Sequence, residues 1–320
     1  MPIVRSRYRA PLLFRNGHLA TVYSGLFRSV NGVQQDRERI TLSDGDFLDL
    51  DWSYSKGGSD KVIILLHGLE GNAQRPYMLG AARYFNAQAY DVVCMNFRGC
   101  GGEPNKFYHS YHSGATEDLG TVIQHVRELD KYSFIGLNGF SLGGNVVLKY
   151  LGEKSESSNI NAAVAVSVPC NLSGSCKALH QFENILYHNR FKRYLVKKLK
   201  EKQVMHPDRI SQDEIRSIKT LRDFDNVYTA KAHGFRDADD YYSQSSSKQF
   251  LNGIRTPVLI LNALNDSFLS AGCFPVEEAK QNSRLLLEMP RYGGHVAFYQ
   301  AGEYYYNEVL SVDFFKESDS

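Results

Sequence analysis

Three residues far apart in the chain have the types and the order needed for nucleophilic acyl chemistry: Ser141, Asp266 and His295. Ser141 is the centre of Gly139-Phe140-Ser141-Leu142-Gly143, a GxSxG pentapeptide that by itself could equally be a glycine-rich connection. A serine hydroxyl is a weak nucleophile until a base takes its proton and an acid holds that base in the right tautomer. Asp266, in Asn265-Asp266-Ser267-Phe268, and His295, in Tyr292-Gly293-Gly294-His295, supply both types. Their order, serine then acid then histidine, is that of a serine on a strand-to-helix turn in an open sheet. Gly293 and Gly294 allow a turn that swings the imidazole inward. The backbone N–H groups of Leu69, in His67-Gly68-Leu69-Glu70-Gly71, and of Leu142 are the candidates for an oxyanion hole. His67 is a rival base by type, but it precedes the nucleophile, and bracing its own loop suits its position better. His18, His109, His112, His125, His180, His188, His206 and His233 form no compact ligand set, so no metal is expected. No cofactor is expected either: the first long apolar strand leads into HGLEGN, not GxGxxG, and no phosphate-binding GxxxxGK[ST] loop is present.

These residues need a scaffold that brings them to one edge. Short apolar runs recur at Lys61–Leu66, Tyr90–Met95, Tyr132–Leu137, Ala162–Val168, Pro257–Leu261 and Arg284–Met289, as strands buried on both faces of a parallel sheet look. Helical patterns alternate with them, at Pro76–Gln88, Ala115–Leu129, Leu142–Gly152, Val276–Gln281 and Gly302–Phe315. Residues 37–54 read as a hairpin turning at Ser43-Asp44-Gly45-Asp46. The alternation predicts an α/β fold with an open, doubly wound sheet. Ser141, Asp266 and His295 then all follow strands at the carboxyl edge, where such folds bind ligands. The long interval between Val168 and Pro257 breaks the rhythm. Within it Phe182–Lys202 and Ser211–Phe224 look helical, which predicts a cap over that edge. The first of these carries Arg190, Lys192, Arg193, Lys197, Lys198, Lys200 and Lys202. That run reads either as a solvated face or as a surface drawing anionic lipid or an acidic substrate.

The chain has 320 residues, 42% hydrophobic and 22% charged, with a formal net charge of +2. That composition suits a globular protein with a large core, and the charge does not call for nucleic acid. The five cysteines are scattered and odd in number, which points to reduced thiols. No stretch is apolar for long enough to span a membrane, and no signal peptide is visible at the start, so a cytoplasmic location is expected.

Several further stretches carry a family resemblance. Arg15-Asn16-Gly17-His18-Leu19 with Thr21, Asp49-Leu50-Asp51-Trp52, the HGLEG run, Asn96-Phe97-Arg98-Gly99-Cys100-Gly101, Tyr111-His112-Ser113-Gly114, the Ser141 pentapeptide and Gly293-Gly294-His295-Val296 together resemble the YheT-type family of α/β-hydrolases, the AB hydrolase 4 group. The family also holds eukaryotic membrane-associated esterases and lipases, and yeast enzymes that exchange acyl groups between thioesters and alcohols. The resemblance implies the α/β-hydrolase fold: a mostly parallel central sheet, helices on both faces and an inserted helical cap. Residues 1–168 and 255–320 would form the core domain and 169–254 the cap. By position it makes Ser141 the nucleophile, Asp266 the acid and His295 the base. The family's acid loop tends to have two aspartates before proline and phenylalanine. Here Asn265-Asp266-Ser267-Phe268 lacks the competing carboxylate and also the proline's rigidity. The hydrophobic anchor of the eukaryotic relatives has no counterpart ahead of RNGHL, so spanning a membrane is not implied. The expected activity is a serine esterase acting on a small-molecule ester or lipid through an acyl-enzyme. An apolar acyl group is favoured by Phe182, Tyr187, Phe191, Tyr194 and Phe235 in the cap, unless these only glue the cap down. Acyl transfer from a thioester or ester to an alcohol, and a non-catalytic scaffold, are the alternatives. Transient contact with a membrane surface and the oligomeric state stay open.

Overall fold

A computed structural model describes residues 2–319. Nine strands form one sheet: β1 (Ile3–Val4), β2 (Asp36–Thr41), β3 (Phe47–Ser53), β4 (Lys61–Leu66), β5 (Asp91–Asn96), β6 (Phe134–Phe140), β7 (Ala162–Val166), β8 (Val258–Leu261) and β9 (Leu285–Glu288). Their spatial order is β1-β9-β8-β7-β6-β4-β5-β3-β2. Pairing is parallel from β1 through β5 in that order, and β3 is antiparallel to both β5 and β2. The central strands are largely apolar because each is covered twice, whereas the edge strand β2, Asp-Arg-Glu-Arg-Ile-Thr, is mostly exposed. Val62, Ile64 and Leu66 of β4 point to a cluster that holds Leu119 and Val122 of the helix Thr116–Glu128 and Val146 and Val147 of the helix Leu142–Lys154. Ile63 and Leu65 point the other way, to Met78 and Phe85 of Pro76–Ala87 and to Val312 and Phe315 of Tyr306–Ser318. Alternation of side chains along each strand thus feeds two cores at once.

Sequence and structure differ at several boundaries. The strand expected at Tyr132–Leu137 runs from Phe134 to Phe140, directly into Ser141. Its Gly136, Asn138 and Gly139 resemble turn residues, but β6 lies between β4 and β7, and backbone pairing on both sides holds it extended. Between β7 and β8 the described residues hold only helices and turns. The helix there is Ile185–Met205, preceded by a 3-10 turn at Phe182–Asn184. Ser211–Phe224 is two short helices, because Thr220 and Asp223 form a second capping box that restarts the chain after that of Ser211 and Glu214. A π-turn follows at Asp225–Thr229. By Ser247 the insert is back on the sheet: Leu251 and Ile254 join the first core cluster.

Buried ion pairs join the edge of the sheet to its helices. Arg98 donates two bonds to Asp118, at 2.8 and 2.7 Å, and one to Asp44 at 2.6 Å, and stands 3.4 Å from the wholly buried Asp46. Asp46 also accepts from Asn105 Nδ2 and from the Phe47 and Lys106 N–H groups. Two buried carboxylates therefore depend on one guanidinium. Removing one member of such a set leaves an uncompensated charge. Replacing Arg98 with Met is expected to lower unfolding free energy by about 3–5 kcal/mol, measured as a lower urea midpoint at unchanged slope.

Candidate active site

β6 ends at Phe140, and the next helix begins at Leu142, leaving one residue for the reversal. Ser141 makes it with φ 52° and ψ −119°, a conformation rarely open to a residue with a Cβ. The elbow packs tightly on the end of β4. A Cβ at Gly143 would stand 2.5 Å from the Leu66 carbonyl oxygen, so only glycine fits there. The HGLEG loop lies against the serine in turn: a Cβ at Gly68 would come 3.1 Å from Ser141 Cβ. The Leu69 and Leu142 N–H groups have no protein acceptor among the described residues, and both residues line the cleft that holds Ser141 and His295.

The structure brings the three residues together. His295 Nε2 is 2.9 Å from Ser141 Oγ, and His295 Nδ1 is 2.8 Å from Asp266 Oδ2. Asp266 is wholly buried at its side chain, and its second oxygen accepts the Phe268 N–H at 3.0 Å. The Phe268 ring stacks on the His295 ring with centroids 4.3 Å apart. Residues from the N-terminal segment fix the histidine loop. Thr21 Oγ1 accepts the His295 N–H at 2.9 Å and donates to the Gly17 carbonyl at 2.7 Å. Asn265 accepts the Gly294 N–H and donates to the Arg15 carbonyl. Gly294 itself has φ 59°. RNGHL and Thr21 were legible as a motif, but their work as a buttress under His295 was not, because it spans most of the chain.

His67 does not reach the serine. Its Nε2 accepts the Phe97 N–H at 3.2 Å, and its Nδ1 donates to the Gly68 carbonyl at 2.8 Å. Burial, helped by the nearby charges of Lys198 and Arg75, pushes its pKa down to about 3, although the Gly68 bond opposes this. The ring is a neutral brace for the loop that carries Leu69. The same loop is held from above. Tyr111 OH accepts the Glu70 N–H and donates to Glu70 Oε1, which also receives Lys198 Nζ at 3.1 Å. Nothing in the sequence singled out Glu70 or Lys198 as partners.

Residues 57–273 match the family model Hydrolase_4, described as "Serine aminopeptidase, S33". YheT of Escherichia coli (strain K12) is 33% identical over 293 residues, spanning 89% of this chain and 85% of its own. The chain belongs to the YheT family of α/β-hydrolases. Phospholipase ABHD3 of Mus musculus is 31% identical over 305 residues, 93% of this chain and 74% of that protein. Among solved structures, the Pyrococcus furiosus esterase Pf2001 superposes with a TM-score of 0.59 at 19% identity, covering 91% of this chain and 98% of that one, a likeness of fold.

In this α/β-hydrolase the cleft extends from Ser141 in two directions. One arm runs beneath the insert past Leu172, Leu179, Leu221 and Phe224. The other runs out between the helix Gly17–Leu26 and the first turns of Ile185–Met205, past Tyr187 and Tyr194. Phe191 lines both arms, but two of the aromatics counted toward the site lie outside them: Phe182 is 92% exposed, and Phe235 packs on His112 and Tyr241.

Two outcomes follow. His67 keeps a folded pKa below its unfolded one, so between pH 6.5 and about 3 the unfolded chain binds the extra proton. Stability should therefore fall as pH drops through that window, and more steeply than in a His67→Gln variant, by urea titration at several pH values. Thr21→Val removes the acceptor that seats the His295 backbone. It should lower kcat about tenfold while the urea midpoint shifts little, which steady-state kinetics and unfolding together check.

Proposed function

We propose that this protein is a serine esterase in which Ser141 attacks, His295 is the base and Asp266 orients it. The carrying observation is the continuous line from Asp266 through His295 to Ser141, at 2.8 and 2.9 Å, beside two unengaged backbone N–H groups. His295 Nε2 takes the Ser141 proton as Oγ adds to an ester carbonyl. The buried Asp266 carboxylate holds Nδ1–H and stabilises the imidazolium that forms. The oxygen of the tetrahedral intermediate lies between the Leu69 and Leu142 N–H groups, with the start of the helix Leu142–Lys154 behind them. His295 then gives its proton to the leaving alcohol. A water deprotonated by the same nitrogen releases the acid.

The apolar lining of the arm beneath the insert favours an apolar acyl group, and a phospholipase among the relatives fits a lipid ester. Residues 169–254 act as a cap in this reading, with their last turn anchored on the core. The described residues contain no helix long and apolar enough to cross a membrane. Five free thiols, four of them buried, fit a reducing cytoplasm.

The test is turnover of p-nitrophenyl esters of graded acyl length. Ser141→Ala and His295→Ala should each cost about 10³-fold or more in kcat/KM, and Asp266→Asn a comparable factor, with folding intact by circular dichroism. Turnover surviving in Ser141→Ala would contradict the assignment.

A further inference from the structure

The two arms are not equivalent, and their difference bears on the leaving group; this step rests on the esterase reading above. During acyl transfer the acyl carbon is bonded to Ser141 Oγ and its oxygen is held by Leu69 and Leu142. The departing oxygen must meet His295 Nε2. The arm beneath the insert includes Leu142 and the residues after β7, on the nucleophile's side. Both arms reach Ser141 and His295, but the other lacks Leu142 and includes Thr21 and Val296, which flank the histidine on the side away from the nucleophile's helix. The leaving alcohol therefore belongs in the second arm.

That arm carries uncompensated positive charge. Arg75 and Arg190 line it, and Glu70 is its one carboxylate among the described residues. Glu70 is already engaged by Lys198 and Tyr111. Arg75 donates to the Glu70 carbonyl, which ties it to the oxyanion loop. Arg190 pairs with no carboxylate among the described residues; it lies 5.8 Å from the Tyr194 ring, with Arg193 on the same ring. The Arg190 charge draws the Tyr194 phenol below its ordinary pKa. Tyr187, Arg190, Phe191 and Tyr194 recur at helical spacing and share one face. That face is turned to the reacting centre, since the Tyr187 and Phe191 rings abut Phe268, the residue stacked on His295. A guanidinium that meets the Tyr194 phenol but no carboxylate, beside a largely apolar passage, is a selector for an anion.

We propose that the leaving-group arm takes an alcohol bearing an anionic group, a phosphate or a carboxylate, and that Arg190 is the residue that selects it. Arg75 contributes charge but also braces Glu70, so Arg190 gives the cleaner test. Three soluble butanoyl esters on one scaffold separate the cases: butanoylglycerol, butanoylglycerate and butanoylglycerol phosphate. In the wild-type protein kcat/KM for an anionic ester should exceed that for the neutral one about tenfold or more. The better of the two anionic esters identifies the group. Arg190→Lys should keep most of that ratio, Arg190→Gln should bring it near one, and Arg190→Glu should invert it. A wild-type ratio at or below one overturns the proposal. So does an unchanged ratio in Arg190→Glu, or an equal fall in Arg193→Glu, which would mark a diffuse field in place of a contact. If p-nitrophenyl butanoate is hydrolysed with dependence on Ser141 in every one of those cases, only this inference falls. If that ester is not turned over, the esterase reading falls with it.

Discussion

The site depends on a single backbone constraint, the reversal of the chain at Ser141 within one residue. A non-glycine residue at φ 52° and ψ −119° costs on the order of 1–3 kcal/mol, and the surroundings must over-determine it. They do so with strand pairing on one side and close packing on the other. β6 is paired with β4 and β7 up to the turn, and the Ser141 N–H donates to the Val166 carbonyl at 2.8 Å. Gly143 lets the new helix rest on the Leu66 and His67 carbonyls. The consequence is a hydroxyl held at the carboxyl edge of the sheet with a free N–H at the first residue of the following helix.

Most of the remaining motif residues hold other motif residues in place. Arg37 grips Asp51 with two bonds of 2.8 Å and Arg39 grips Asp49, while Asn96 joins β3 to the Ala73 N–H beyond the HGLEG loop. Tyr111 clasps Glu70, Ser113 meets Tyr241 of the insert, and Asn145 of the elbow helix ties Ser113 to Ser245. The helix Ile185–Met205 is fastened in the same way. Lys202 is buried with its ammonium on the Asn105 and Phe107 carbonyls, and burial brings its pKa down to about 8. Lys198 reaches Glu70 and Cys100. Two of the seven basic residues that read as one charged face are thus struts between the insert and the core.

The sheet and its order of chemistry were legible because both follow from local pattern. Continuous apolar runs announce strands buried on two faces, and glycines around Ser141 and His295 announce tight turns. What could not be read was anything set by contacts across the chain. The helix Gly17–Leu26 and the short strand Ile3–Val4 have weak local signals and exist through their docking on the histidine loop and on β9. The helices Leu172–Leu179 and Ala238–Ser245 are likewise set by packing, Leu172 against Ala238, Tyr241 and Tyr242. The placement of Lys198 and the burial of Lys202 depend on which face of the helix meets the core, and a run of basic residues does not encode that.

The proposed reacting atom is Ser141 Oγ. Exposure of the folded protein to a fluorophosphonate, followed by peptide mass spectrometry, tests it most directly. One adduct on Ser141, lost when His295 becomes Ala, is the result the geometry predicts. Folded protein that stays unlabelled at Ser141, or carries the adduct on another residue, would contradict it.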